Sequence, residues 1–508
     1  MKVLKSDFHW ISFSILLWLL GWPGRDFYLI FLFGGLVLFY FNYIKNEKDL
    51  VCFFHHFKGK LIVSYWFLFF LIYTIKSILS LYSFKWNILD VGSYSISLFN
   101  ASKGLNYNSF LNIPTLADHF IPSLFLVSPL YLIYPSVHWI TTLKIISYFS
   151  TPLVLYIWIK EKSLDTREKL FILSAFGLFF IYSYGPSVSS LKFEFSPTSL
   201  SLPVILLAFI FLDKKKWFFL GITILFLLGF KENTGTVVIG FGLYQIFKGE
   251  FRPGFILFSF GLFSTYLIVF QLMPFLREYE DFGNHSINVF KDIDHKIYYL
   301  FKLLYPLGFI PLIFWKNGII AAPAISVNLI SGRETMYSSG YHYDDISSLL
   351  LILSCLISYV ELRENNKIKL NNIYCKIIFL SFLLYLFSSI SKSSPILDLY
   401  KTIPNNENMD MLGEIRLIQE NYSNYSLALQ NGLGPHFHRE KIILMSDDHN
   451  GNCTPPFIFN KPADIIVLST FLDSHTISNI NECISHLDKN IKYQRISEFR
   501  HLVVFEKI

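Results

Sequence analysis

A chain of 508 residues that is 53% hydrophobic, 18% aromatic and only 16% charged departs from soluble domains, where about a quarter of residues are charged. The deficit excludes an ordinary soluble globular protein. The net charge of +6 is no argument for nucleic acid, because the lysines gather between apolar runs, where membrane topology accounts for them.

From the N-terminus, apolar segments recur at 9–22, 27–43, 61–82, 118–134, 137–159, 168–184, 198–212, 217–230, 235–247, 253–274, 297–315, 318–330, 346–360 and 374–390. The first resembles a signal peptide, but a second run follows at once and no small-residue cleavage site is visible, so it reads as an uncleaved span. The run 61–82 makes about 33 Å of helix at ~1.5 Å per residue, enough to cross a hydrocarbon core. Shorter runs must be tilted, broken or packed inside the bundle.

Lys and Arg set the expected orientation. One set of connections (the N-terminus, 44–60, 160–169, 214–216, 248–252, 316 and 361–372) carries 19 of them and the opposite set carries 9, so the first is expected in the cytoplasm. Strict alternation fails at 118–134, which is expected to dip in and return. What remains is an α-helical polytopic membrane protein of about 13 transmembrane helices plus a re-entrant or interfacial segment. Its N-terminus is inside and everything after residue 390 outside. Residues 1–60 form an N-terminal two-helix hairpin with a cytoplasmic loop, and residues 61–390 the transmembrane core.

The tail, 391–508, changes character. Short apolar runs SLALQ (426–430), KIILM (441–445), DIIVLS (464–469) and HLVVFEK (501–507) alternate with polar stretches. In TISNINECISHL, apolar residues fall at 477, 480, 484 and 487, a helical spacing. The tail therefore reads as a small extracytoplasmic α/β domain. Five cysteines (Cys52, Cys355, Cys375, Cys453, Cys483) have no metal-like spacing and suggest no disulfide framework. Cys453 and Cys483 share the oxidising side, which leaves a bridge between them open, but plain core is the favoured reading, since Cys483 also fits the apolar face of its helix. No Gly-rich phosphate loop or nucleophile motif appears.

Polar residues of the outer loops carry the candidate chemistry, since ionisable groups at membrane depth usually face a cavity or each other. They are Asp90; Asp118 and His119; Lys192 and Glu194; Lys231, Glu232 and Asn233; the stretch REYEDFGNH (277–285); and Arg333, Tyr341, His342, Asp344 and Asp345. Plainer readings stand beside the functional ones. Asp90 suits an N-cap for a helix starting at Val91, and Asp118 one for a helix over 120–133. Glu194 suits a solvated loop acid, and the aromatics around His342 an interface belt. Lys144 suits a side chain snorkelling outward. Lys231–Glu232 reads either as a snorkelling hairpin tip or as a polar break lining a buried cavity. The second is favoured, because short Gly-interrupted segments mark binding sites.

The ordered motifs ILDVGSYS (88–95), ADHFIPSLFLVSPLYLIYP (117–135), KFEFSPTSLSLP (192–203), FKENTG (230–235), PAISVNLIS (323–331), GYHYDD (340–345), LGPHFHREKIILM (433–445) and ADIIVLS (463–469) resemble the polytopic family known as domain of unknown function 2079, over roughly residues 61 to 470. That family is grouped with the GT-C glycosyltransferases, membrane enzymes that use polyprenyl-phosphate sugars. Where the family reads close to FDFHPE, this chain has FEFSPT, with Glu194, Ser196 and Thr198 at the Asp, His and final acid. Where it reads KED, the chain has Lys231, Glu232 and Asn233.

The resemblance implies transfer of a sugar from a lipid phosphate to an acceptor hydroxyl at the outer face. Asp90 would be the base, in the first outer loop where such enzymes place it. Lys231 would meet the phosphate, with Arg333 and His342 behind it. Asp118 and His119 would shape the pocket, and Glu194, Glu232 and Tyr341 would complete the substrate-binding set. The lipid-linked sugar is the donor, no metal ligands are assigned, and a need for a divalent ion stays open. Expected partners are the bilayer, the polyprenyl-phosphate sugar and an acceptor of open identity, with no nucleic acid. The expected location is the cytoplasmic membrane, the inner one in a bacterium, with multiple passes. The alternatives are a transporter or flippase of a lipid-linked or small polar solute, and a non-catalytic receptor or assembly protein.

Overall fold

The computed structural model describes residues 59–164, 179–277, 287–365 and 395–508, apart from scattered positions between 448 and 498, and part of 165–178. The expected spans 9–22, 27–43 and 374–390 lie outside the described residues, as does the loop after Arg277.

The helices that build the apolar body are α1 (Gly59–Tyr82), α2 (Ser93–Ser102), α3 (His138–Lys160), α4 (Gly185–Lys192), α5 (Thr198–Asp213), α6 (Trp217–Leu228), α7 (Gly235–Phe247), α8 (Phe251–Tyr266), α9 (Ile293–Leu304), α10 (Ala322–Ile330) and α11 (Asp345–Glu364). Among the described residues, three segments are long and apolar enough to cross a membrane: His138–Lys160, Phe251–Leu276 and Asp345–Glu364. Shorter apolar helices accompany them, α5 and α6 included. Over the described residues the structure is thus mostly helical, with fewer full-length candidate spans than the sequence pattern counts there.

The expected span 297–315 is one reason. α9 stops at Leu304, a turn follows over Tyr305–Leu307, and Gly308 and Phe309 both take left-handed backbone (φ 59° and 55°). Pro306 and Gly308 together end the helix, since proline cannot donate to it and glycine tolerates the reversal. The stretch 118–134 is likewise discontinuous, with a 3-10 helix at Pro122–Val127 and one turn at Pro129–Ile133. α7 and α8 pack almost backbone to backbone. A Cβ on Gly242 would lie 2.3 Å from the Phe258 nitrogen, the close approach that small residues permit between membrane helices. The other face of α8 exposes Phe255, Ile256 and Phe263.

Lys144 does not snorkel. It is buried inside α3 and its ammonium donates to the Phe193 carbonyl.

Among its described residues the tail adds α12 (Asn406–Asn421), α13 (Ile480–Asp488) and seven strands: β1 (Leu427–Leu429), β2 (Ile442–Leu444), β3 (Phe457–Ile458), β4 (Lys461–Pro462), β5 (Ile465–Leu468), β6 (Tyr493–Ile496) and β7 (Val503–Lys507). Five form one sheet in the order β2-β1-β5-β7-β6, and β3 and β4 pair separately. β1 runs parallel to β2 and β5, with Leu427 opposite Ile442 and Ile465, while β7 is antiparallel to β5 and β6. The runs read as strands in the sequence are β1, β2, β5 and β7.

Side chains alternate across a strand, and this sheet uses both faces. Ala428, Ile466, Leu468 and Phe505 join α13 in one core. Leu427, Leu429, Ile465, Val467 and Val504 join α12, and with them Ile88, Val91, Ile96, Phe110 and Leu124. The tail and the loop after α1 therefore share one hydrophobic core. Cys453 and Cys483 form a disulfide with Cα atoms 5.0 Å apart, which corrects the expectation of no disulfide framework. The core position on α13 and the bridge are the same site.

Candidate functional site

The segment after α1 makes a single π-helical turn, Ile88–Gly92, before α2. Asn87 caps it, its side chain accepting the Leu89 N–H at 2.8 Å. Asp90 lies inside the turn and caps nothing, which removes the capping reading. Asp118 likewise ends the single helical turn Thr115–Asp118 and supplies no cap to the helix after Ile121. Asp90 is half-buried, with Lys231, His119 and Asp118 close enough for their charges to act on it. Burial pushes its carboxyl up to about 6 against the pull of Lys231 and His119.

Lys231 precedes the 3-10 turn Glu232–Thr234 between α6 and α7. It is buried at 7% exposure, so it is no hairpin tip reaching for water. Among the described residues its ammonium has no ion-pair or hydrogen-bond partner. A buried lysine that feels Asp90 and Glu232 but bonds directly to neither leaves its donors open to an anion that arrives with a substrate. Nearby, the Asn233 Oδ1 is buried without a hydrogen-bond partner among the described residues.

Glu232 points the other way. It accepts from His119 Nδ1 at 3.0 Å and from the Phe120 N–H at 3.3 Å. Burial alone would raise its carboxyl, but His119 and Lys231 outweigh that and hold it at about 2. Glu232 is therefore a fixed anion that orients His119. Tyr94 stacks on the His119 ring at 5.8 Å. Burial, with Asp118, Glu232 and Asp90 around it, keeps its phenol well above the ordinary range.

Glu194 is not a solvated acid. It accepts from the Asn87 backbone N–H at 3.1 Å and from Asn87 Nδ2 at 2.7 Å. Burial and the adjacent Asp90 push it up to about 8. Environments that drive two acids apart assign the proton to one of them: at neutral pH it stays on Glu194 and leaves Asp90 ionised.

His342 is buried between Phe193 and Tyr343, with ring centroids 4.4 and 4.3 Å away. Burial, then Lys231, Lys144 and His119, hold it well below the ordinary histidine range. It is neutral and cannot serve as a second cation, though its Nδ1 is buried without a partner. Arg333 and Tyr341 are exposed. Tyr341 accepts from Ser190 through its carbonyl, and among the described residues no hydrogen bond or ion pair joins either residue to the group around Asp90. Asp344 and Asp345 are bound into the bundle, by Tyr299 and by Tyr148 with Thr198.

The structure thus brings together Asp90, Asp118, His119, Glu194, Lys231, Glu232 and His342 from five segments, and leaves out Arg333 and Tyr341. Sequence reasoning missed Asn87, Tyr94 and the tail residue Asn431, which accepts the Ile88 N–H at 3.1 Å. Asn87 carried a usable signal, as a favoured cap residue just before the turn. Among the described residues, no three His, Cys, Asp or Glu side chains are grouped to hold a metal ion.

No curated protein matches the chain. Residues 80–286, a narrower stretch than 61–470, match the family model described as Predicted membrane protein (DUF2079), and the matched stretch carries Asp90, Asp118, His119, Glu194, Lys231 and Glu232.

Proposed function

We propose that this protein is a membrane glycosyltransferase that moves a sugar from a polyprenyl-phosphate carrier to an acceptor hydroxyl at the extracytoplasmic face. The observation that carries the reading is a half-buried carboxylate beside a buried lysine with no direct bond to it among the described residues: the Lys231 charge acts on Asp90 although 141 residues separate them in the chain. A transfer of this kind needs both. Asp90 takes the proton of the acceptor hydroxyl as its oxygen bonds to the sugar's anomeric carbon. The bond from that carbon to the phosphate oxygen breaks, the electron pair leaves with the phosphate, and Lys231 meets the growing charge. The neutral His342 and the Glu232-oriented His119 supply hydrogen bonds around the sugar. The Cys453–Cys483 bridge supports an oxidising location for the tail, and the shared core puts the Asp90 loop on the tail's side.

Transfer from a radiolabelled polyprenyl-phosphate sugar into membranes containing the protein tests the reading. Asp90→Asn and Asp90→Ser should each lower the rate about 100-fold or more with normal expression. Full activity in both would refute a base at this position. Passage of a polar solute across vesicles without transfer would favour the transport reading.

A further inference from the structure

The tail reaches the turn that carries Asp90. Three successive N–H groups open that turn, and helix geometry leaves such groups without partners of their own. Each is taken by a side chain from a different place. Asn87 N–H goes to Glu194 at 3.1 Å, Ile88 N–H to Asn431 at 3.1 Å, and Leu89 N–H to Asn87 Oδ1 at 2.8 Å.

Asn431 itself is anchored. It follows β1, and its neighbour Gln430 is tied on three sides. The Gln430 N–H donates to the Val467 carbonyl, its Nε2 donates to the Leu472 carbonyl, and its Oε1 accepts the Ser469 N–H. The segment then runs along the first loop. Gly434 lies so close to Ile88 that a Cβ there would sit 2.0 Å from Ile88 Cγ1. His436 faces Phe84 at 4.5 Å, His438 Nε2 meets Ser95 Oγ at 2.8 Å, and Glu440 pairs with Lys103 at 2.9 Å.

We infer that Asn431 and Glu194 are positioning residues for Asp90, and that the tail domain serves as a rigid clamp that sets the pitch of the turn through Asn431. The role assigned to Asp90 rests on the transferase reading; the clamp itself does not. A side chain must be held to within about 0.5 Å by surrounding groups to work reliably. One buried hydrogen bond is worth about tenfold in local opening.

The test is hydrogen exchange on the full-length protein in nanodiscs. In Asn431→Leu, the amides of residues 87–91 should exchange about tenfold faster while β5 and β7 keep their protection. Asn431→Asp, which retains the acceptor oxygen, should restore the slow rate. Where β5 and β7 open as well, Asn431→Ser is read in the same way, its side chain being too short to reach Ile88. Unchanged exchange at 87–91 with the sheet intact would overturn the clamp. In the transfer assay, Asn431→Leu should lower kcat with little change in KM for the donor. If Asp90→Asn transfers normally, the base assignment fails while the exchange result still decides the clamp.

Discussion

Asp90 and Glu194 are two carboxyls whose surroundings differ, and the difference gives them different tasks. With its carboxyl at about 6, Asp90 is ionised above that pH and protonated below it. A base of this kind predicts a transfer rate that rises as pH passes upward through about 6 and levels off near neutrality; a rate indifferent to pH between 5 and 7 would contradict it. Glu232 has the opposite sign. Its folded value of about 2 lies below the ordinary 4.5, so the stability it adds is present above pH 4.5 and lost as pH falls toward 2. Glu232→Gln should therefore lower stability at pH 7 by about 1–2 kcal/mol, read as a drop in Tm of the detergent-solubilised protein. At this scale the sequence was readable where a charge interrupts an apolar run, as at Asp90, His119 and Lys231. It was unreadable where the property depends on a distant partner. His342 is neutral because burial and Lys231, 111 positions away, oppose its charge.

Elements of the fold were legible in proportion to their periodicity. The runs at 426–430, 441–445, 464–469 and 501–507 are buried strands because each is a short apolar run between polar stretches. Of the 480/484/487 spacing, Ile484 and Leu487 are buried on α13 and Ile480 packs partly buried beside them. α12 escaped notice, although Met411, Ile415 and Ile418 are buried along it, because both its ends, NEN (406–408) and QEN (419–421), are wholly polar. The long run at 297–315 was misread as a span, since an apolar composition does not reveal the stop that Pro306 and Gly308 impose. The disulfide closes a loop of 30 residues and predicts that Cys453→Ser costs the tail about 3–4 kcal/mol. Thermal unfolding with and without reductant checks this. The wild type should lose Tm on reduction and the variant should not.

Across the whole molecule, the shared core of loop and tail means that the site is built by parts of the chain more than 300 residues apart, as Ile88 and Asn431 show. No local pattern announces such an assembly. The positive-inside pattern supplies the frame for a topological prediction. Cysteines placed at the exposed positions Glu420 and Lys215 should label from opposite sides, Glu420→Cys from outside and Lys215→Cys from the cytoplasm; the reverse result would invert the molecule.

The central claim is that Lys231 waits, buried and with no direct bond among the described residues, for the phosphate of a lipid carrier beside Asp90. Native mass spectrometry of the purified protein with undecaprenyl phosphate tests it most directly. Bound lipid should appear with the wild type and with Asp90→Asn, and should fall about tenfold or more in Lys231→Met, which keeps the length and removes the charge. Equal retention by the wild type and Lys231→Met would contradict the account.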